Sequence, residues 1–177
     1  MRMNRIIAVV SALCLSCLIT ACKKKDGSRD VDVTLETGTE LSDASEKHTV
    51  VSADGDGNVV IPVDQITESA SFYNYDAEGV TVQLVAIRDK DGAAHISFNT
   101  CQSCSPSPKA YYVQKEDTIQ CANCGSVFAP AQVGVAHGGC NPWPIEGVRI
   151  GDDTITVPVS SINSMRSKFT SWKGPTE

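Results

Sequence analysis

The sequence predicts a mainly β protein of the α+β class. We expect one small domain of β-hairpins with a short C-terminal helix and a cysteine-rich metal-binding region, preceded by a disordered tether. Three observations predict this. Short runs rich in β-branched residues alternate with turn sequences, as in hairpins. An apolar stripe at helical spacing follows near the C-terminus. Five of the eight cysteines lie between residues 101 and 140.

The first 21 residues have the features of a lipoprotein signal peptide. Arg2 and Arg5 precede an apolar segment, residues 6–21, which is short for a membrane span of about 20 residues. The segment ends in Ile19-Thr20-Ala21-Cys22, which resembles the bacterial lipobox. We therefore predict acylation of Cys22, with chains such as palmitate, and attachment to membrane lipid outside the cytoplasm, on the cell membrane or the outer membrane. A plain signal peptide or an uncleaved anchor is the alternative.

Residues 22–50 are predicted to be a flexible tether. They are mostly polar or charged and contain no aromatic residue, so they cannot bury enough apolar surface to fold alone. The formal charge of the whole chain is −6, and loss of Arg2 and Arg5 with the signal peptide makes it −8. An acidic chain without a basic stripe argues against nucleic acid as a partner.

The folded domain is predicted to span residues 51–177 and to contain two hairpins. The first joins residues 80–87 to 93–98, and the second joins residues 111–114 to 118–120, each across a polar turn. Each returning strand leads directly to a CxxC pair. Both pairs are therefore expected at the mouth of a hairpin.

A repeated pattern lies at the two ends of the domain. Residues 60–66 and 156–162 have Pro, Val and Ile at the same offsets, and each predicts a strand that ends at proline and continues into a short helix or turn. After the second copy, four apolar residues have helical spacing, with Ser160 or Ser161 as the expected N-cap. These four are Ile162, Met165, Phe169 and Trp172. They predict a short amphipathic helix that packs on the sheet.

The candidate chemistry is carried by two CxxC pairs, Cys101 with Cys104 and Cys121 with Cys124, and by a single Cys140. Sixteen residues separate the pairs and fifteen precede the last cysteine. Two facing CxxC turns complete a tetrahedral four-sulfur site suited to zinc or iron. Because a structural zinc needs only four ligands, the fifth sulfur favours a cluster, an exchangeable ligand or a redox thiol.

The loop around Cys140 supplies candidate residues beside the site. Gly138 and Gly139 allow the backbone to approach a bound group closely. His137 and Asn141 flank this turn, and all four are predicted to surround the ligands, with His137 also weighed as a ligand. His95, on a predicted strand, and His48, in the predicted tether, are interpreted as structural or solvated.

Other chemistries find little support in the chain. It contains no Ser-His-Asp arrangement, no motif of paired carboxylates and no phosphate-binding glycine loop, so we expect a non-enzymatic protein. Neither CxxC pair is followed by the histidine that covalent haem attachment requires. A thioredoxin-like dithiol would need a βαβ unit. Iron, zinc, copper, and two disulfides with one free thiol remain open.

The cysteine-bearing segments resemble the FtrD-like family of membrane iron–sulfur-containing proteins. The resemblance extends over roughly residues 59–169 and includes a lead-in of two short motifs, Ile61-Pro62-Val63 and Phe72-Tyr73-Asn74-Tyr75. The two CxxC pairs and the Gly138–Pro142 motif are specific in combination. The resemblance is carried by the following segments: Phe98–Cys104, Tyr111-Tyr112, Ile119–Gly125 with Phe128, and Gly138–Pro142 with Pro144-Ile145.

The resemblance implies a cysteine-ligated iron–sulfur cluster or mononuclear iron, connected in some members with iron transport at a bacterial membrane. Carried over by position, the candidate ligands are Cys101, Cys104, Cys121, Cys124 and Cys140. The chain departs from the family in its expected form, a separate lipoprotein instead of the tail of a multi-span protein.

Three hypotheses follow. The first is an electron-transfer or metal-handling module with a membrane iron-transport or redox partner. The second is an interaction module held together by a structural Zn(Cys)4 site. The third is a dithiol redox protein.

Overall fold

A computed structural model describes residues 46–177. The predicted signal peptide, Cys22 and most of the predicted tether lie outside the described residues. The strands are β1 (Lys47–Val51), β2 (Asn58–Pro62), β3 (Ser71–Ala77), β4 (Val80–Arg88), β5 (Ala94–Cys101), β6 (Tyr112–Lys115), β7 (Thr118–Cys121), β8 (Val127–Phe128), β9 (Pro142–Trp143), β10 (Arg149–Ile150) and β11 (Thr154–Pro158). One helix, α1 (Val159–Phe169), follows the last strand. The predicted mainly β class with a short C-terminal helix is confirmed.

A five-stranded central sheet has the order β1-β3-β4-β5-β9. β3, β4 and β5 are antiparallel neighbours, and Val85 pairs with Phe72 on one side and with Ser97 on the other. The predicted first hairpin is therefore confirmed, with longer strands than the alternation alone indicated. β1 pairs with β3 in parallel, so the structured chain begins within the segment predicted as tether.

His48 lies in β1 and not in a tether. Its ring stacks on Phe72 with a centroid separation of 5.0 Å. Its Nδ1 is 3.4 Å from the side-chain nitrogen of Gln83. β1 was not predicted because its residues are mostly polar, and a strand held by its neighbour's backbone needs little apolar character of its own.

The two copies of the repeated pattern pair with each other. β2 and β11 are antiparallel, with Ile61 opposite Ile155 and Val59 opposite Val157, and β10 completes a three-stranded sheet. Each copy ends at proline, and the first continues into a 3-10 turn at Val63–Gln65 while the second continues into α1. The strand-then-helix interpretation of both copies is confirmed.

The start and end of α1 differ from the prediction. The helix begins directly after Pro158, which occupies the N-cap position with ψ 130°, so neither Ser160 nor Ser161 caps it. Proline fixes φ near the value that a helix start needs, which explains the earlier start. Trp172 lies beyond the helix, where its ring is buried and its Nε1 donates to the Asn99 carbonyl at 2.9 Å.

The central sheet buries both of its faces because apolar residues occupy both sets of alternating positions. One face, with Tyr73 and Leu84, packs against α1 and the β2–β11 sheet. The other face, with Phe72 and Val85, packs against the third sheet, β6-β7-β8. That second apolar cluster also contains the buried Cys101. The cysteine region therefore forms the layer opposite the helix.

The third sheet contains the second predicted hairpin. β6 and β7 are antiparallel, with Lys115 opposite Thr118 and Tyr112 opposite Cys121, so this prediction is also confirmed. Among residues 46–177, no helix combines the length and the hydrophobicity needed to cross a bilayer.

Candidate metal centre

The first CxxC pair lies where β5 leaves the central sheet. Cys101 is the last residue of β5 and is fully buried. Its backbone N–H donates to the Ala110 carbonyl at 2.9 Å, and its carbonyl accepts from the Ser105 N–H at 3.0 Å. This closed turn carries Cys104, which is half-buried. The expected position at a hairpin mouth is confirmed.

The second pair has the same relation to β7. Cys121 ends the strand and is buried, whereas Cys124 is exposed. The Gly125 N–H donates to the Cys121 carbonyl at 2.9 Å, and Gly125 has a φ of +75°. A residue with a side chain would be strained in that conformation, so glycine lets the chain turn sharply after the pair.

The loop that carries Cys140 is held by Gln102, a residue inside the first CxxC pair. The Gln102 side-chain nitrogen donates to the Ala136 carbonyl at 3.0 Å and to the Pro142 carbonyl at 3.2 Å, and its oxygen accepts from the Gly138 N–H at 2.6 Å. One side chain thus binds the loop at three points. Gln102 was not predicted to have a role, although its position between two candidate ligands was a signal.

Ser103 and Asn141 complete the support of this loop. Ser103 Oγ donates to the Gly139 carbonyl at 2.5 Å, and Asn141 Nδ2 donates to the Gly138 carbonyl at 2.8 Å. Gly138 and Gly139 have φ values of +83° and +60°, so the loop uses the conformational freedom predicted for them. His137 is exposed and does not join the group of sulfurs.

Four sulfurs from three separate segments converge. The Sγ atoms of Cys101, Cys104, Cys124 and Cys140 all lie within 4.8 Å of one another. Cys121 is outside this group of four, although its Sγ is 4.0 Å from that of Cys104. All five thiols are free of disulfides. The structure thus brings four of the five predicted ligands together and sets the fifth beside them.

Tyr112 contacts the loop that carries Cys140. Its hydroxyl donates to the Cys140 carbonyl, and its ring meets Phe128 edge-on at 5.9 Å. Its backbone N–H and carbonyl both bind the side chain of Asn99, at 2.8 and 3.2 Å. Burial and the nearby Cys101 raise the pKa of the Tyr112 hydroxyl, so it stays protonated and remains a donor. Before the fold was known, Tyr112 was expected only as part of the second hairpin and of the family resemblance.

The thiols differ in acidity because their surroundings differ. Burial raises the pKa of Cys104, and burial raises the pKa of Cys121 to about 11. The Ser126 hydroxyl, whose Oγ is 3.4 Å from Cys124 Sγ, lowers the pKa of Cys124 to about 6. Buried neighbouring thiolates repel one another, and a cation among them is what allows several to deprotonate together.

The donor set fits a soft or borderline metal. Four thiols within one small sphere match the tetrahedral sulfur sites that hold zinc or iron. No Asp, Glu or His of residues 46–177 belongs to the group, which disfavours calcium or magnesium, since both prefer oxygen ligands.

Comparison with known protein families gives a match over most of the chain. The model of a family described as "Membrane iron-sulfur containing protein FtrD-like" matches residues 49–169. The matched segment covers more than half of the chain and includes all five cysteines from residue 101 to residue 140. No curated protein and no solved structure matches the chain significantly.

Proposed function

The chain belongs to the FtrD-like family of membrane iron–sulfur-containing proteins, and on this premise we propose that it is a lipid-anchored electron-transfer or metal-handling module. In this proposal Cys101, Cys104, Cys124 and Cys140 hold iron outside the cytoplasm. Acylated Cys22 attaches the domain to the membrane, and a membrane iron-transport or redox protein is its partner.

One observation carries the proposal. Four thiols from three chain segments meet within 4.8 Å in a region with no disulfide. The fold already has two apolar clusters, so packing alone does not require several thiols in contact. Cysteine is usually retained for its reactivity and not for its packing. Metal ligation accounts for the convergence.

The exposure of the ligands supports electron transfer over a purely structural role. Cys101 is fully buried in the sheet, whereas Cys124 lies at the surface, so a centre among them would be within reach of a docked partner. Residues 118–145 contain no Asp, Glu, Lys or Arg. A partner can therefore approach this segment of the surface without displacing strongly hydrated charges.

Iron bound by thiolates can exchange one electron, with a potential set by the surrounding hydrogen bonds and burial. The residues of the chain supply that setting. Tyr112 and Gln102 hold the carbonyl and N–H groups of the Cys140 loop in fixed positions. A rigid ligand frame keeps its geometry when the charge at its centre changes, which favours fast exchange of electrons.

A structural zinc site is the second candidate. The four sulfurs join the end of β5, the turn after β7 and the Cys140 loop, so a bound ion would connect the third sheet to the central sheet. Zinc in such a site contributes directly to folding. This arrangement would leave function to an interaction surface.

Metal analysis with visible spectroscopy of the anaerobically purified full-length protein tests the proposal. We expect stoichiometric iron and thiolate-to-iron absorption that bleaches and returns during a reductive and oxidative titration. A colourless protein with one zinc would favour the second candidate. A metal-free protein with reversibly titrating thiols would contradict both and support the dithiol hypothesis.

The anchor is tested separately by Cys22→Ser. We expect the wild-type protein to incorporate labelled palmitate and the variant to incorporate none, because acylation requires the Cys22 thiol. Asp26→Ser, in the same segment, is the control. Absence of the label from the wild type, or equal labelling of Cys22→Ser and wild type, would contradict lipid anchoring.

A further inference from the structure

We propose that the centre is a single metal ion bound by Cys101, Cys104, Cys124 and Cys140, and not a cluster of several irons, with Cys121 as a nearby thiol that is not a ligand. The inference rests on the proposed function and specifies its metal site.

The spacing of the sulfurs carries the inference. Metal–sulfur bonds of about 2.3 Å in a tetrahedron place the sulfurs about 3.8 Å apart. The four Sγ atoms already lie within 4.8 Å of one another, so shifts of about 1 Å or less would close the shell around one ion.

A cluster needs a wider arrangement. Each iron of a cluster carries its cysteine on the side that faces away from the other irons. Sulfurs on different irons are therefore separated by the iron–iron distance plus the part of each iron–sulfur bond that points outward along the same line. This separation is roughly 6 Å. None of the four sulfurs has that separation from another.

The surrounding contacts oppose such a widening. The Cys140 carbonyl accepts from the Tyr112 hydroxyl and lies 3.5 Å from Cys101 Sγ. Gln102 and Ser103 bind the same loop from the first CxxC pair. Moving Cys140 outward by more than 1 Å would break several of these hydrogen bonds together, because Gln102 and Ser103 join the loop to the first CxxC turn and Tyr112 joins it to β6.

Cys121 has a different position from the other four. It is buried among the apolar side chains under the third sheet, and its Sγ lies 4.0 Å from that of Cys104, but it is not one of the four sulfurs that all lie within 4.8 Å of one another. A tetrahedral ion takes four sulfurs, and the four that are mutually close already supply them.

The test is analysis of iron, zinc and acid-labile sulfide per chain in the anaerobically purified full-length protein. We expect one metal ion and no acid-labile sulfide. Two or more irons with matching sulfide would overturn this inference and leave the proposed iron function intact. One zinc without sulfide would support the single ion and overturn the iron assignment. A protein without metal would overturn both.

Two serine variants test which sulfurs bind. Cys121→Ser should retain about one metal per chain, and Cys124→Ser should lose most of it or bind it at least tenfold more weakly in competition with a chelator. Cys124 is exposed, so its replacement leaves the fold intact, which circular dichroism verifies. Metal loss from a folded Cys121→Ser protein, or full retention by Cys124→Ser, would overturn the assignment of ligands.

Discussion

Gln102 has an unusual position for a residue inside a CxxC pair, because its side chain binds another loop instead of pointing into water. Its amide uses both donors and its acceptor on residues 136–142. It therefore couples the position of Cys140 to that of Cys101 and Cys104. We interpret Gln102 as the residue that aligns the third segment of the site with the first.

Gln102→Ala is expected to weaken metal binding roughly 10- to 100-fold, as is typical when a residue that orients ligands is lost. The physical reason is that the Cys140 loop must then be ordered by the metal itself. A competition titration with a chromogenic chelator measures the change. Gln65→Ala, at an exposed position, is the control, and equal affinities of the two variants would contradict the role of Gln102.

Tyr112→Phe is expected to lower the free energy of unfolding by about 1 to 3 kcal/mol, because the Cys140 carbonyl loses its buried donor. Denaturant unfolding of the metal-loaded proteins measures this loss. Tyr75→Phe serves as the control, since the Tyr75 hydroxyl forms no hydrogen bond with the rest of residues 46–177. If both variants unfold at the same denaturant concentration, the Tyr112 hydroxyl does not support the site.

At this scale the cysteines could be predicted and their supports could not. A CxxC spacing indicates metal binding or redox chemistry from the sequence alone. The roles of Gln102 and Tyr112 depend on which backbone groups lie within about 3 Å of them, and a fold is needed to bring residues 102 and 138 together.

At the scale of the elements, the loop between β8 and β9 passes in direct contact with the backbone of β5 in the central sheet. At Gly134, φ is +73°, and a Cβ atom would lie 2.1 Å from the Ile96 carbonyl oxygen. The loop can therefore follow its path over β5 only because this residue has no side chain. The path of this loop in turn determines the position of Cys140.

Gly134→Ala is expected to destabilise the protein by about 3 kcal/mol or more, because it adds a backbone clash to the strain of a positive φ. Gly79→Ala is the matched control: its φ is +81°, but no atom lies within 4 Å of the added Cβ, so it should cost only about 1 kcal/mol. Thermal unfolding compares the two, and similar losses would show that the loop does not need this close approach.

The β4–β5 turn is stabilised by a carboxylate. Asp89 accepts backbone hydrogen bonds from Asp91 and Ala93, and its second oxygen is 2.8 Å from His95 Nε2. The His95 contact, followed by the backbone bonds, lowers the pKa of Asp89. The unfolded value is about 3.9, so the carboxylate stabilises the fold above about pH 4 and this contribution is lost as the pH falls through the folded pKa.

Asp89→Asn should therefore be less stable than wild type at pH 5, and the difference should shrink at pH 3. Urea unfolding midpoints at the two pH values measure it. Asp91→Asn, an exposed position in the same turn, is the control for the loss of a carboxylate there. A constant difference for Asp89→Asn would contradict the contribution of the charge.

Elements were predictable where their residues have a clear period. The two hairpins and the separate strands β2 and β11 follow from patterns that extend over several residues, whereas the pairing of β2 with β11 was not predicted. Strands β8, β9 and β10 have two residues each, which is too short for any period to appear. The predicted start of α1 was too late because Pro158 occupies the N-cap position, where serine is usually preferred.

For the whole molecule, the cysteine layer and the helix layer are joined through the central sheet. Asn99 of β5 holds Tyr112 on one side and accepts the Trp172 indole N–H on the other. The chain end adds further bonds, since the carbonyls of Pro175 and Thr176 accept from Gln83 and Asn74. Order at the site is thus connected to order in the rest of the domain.

Metal binding should consequently stabilise the whole domain. At a free metal concentration of about 1,000 times Kd, the linkage amounts to about 4 kcal/mol, so removal by a strong chelator should lower Tm by several degrees. Cys124→Ser should unfold at the temperature of the chelated wild type, with or without chelator. A Tm of wild type that the chelator leaves unchanged would contradict the coupling.

At this scale the sequence was sufficient for a single mainly β domain with a cysteine-rich region and for its family. It could not indicate that apolar residues on both faces of β4 would divide the domain into two layers, because a buried run is compatible with several packings. Lipid anchoring remains a prediction, since Cys22 lies outside the described residues.

X-ray absorption spectroscopy of the metal in the purified full-length protein tests the central claim most directly. With the sulfurs of three segments around one ion, the first shell should contain four sulfur atoms at about 2.3 Å and no metal neighbour beyond them. A shell of oxygen or nitrogen atoms, or fewer than three sulfurs, would contradict the convergence of these cysteines on a metal.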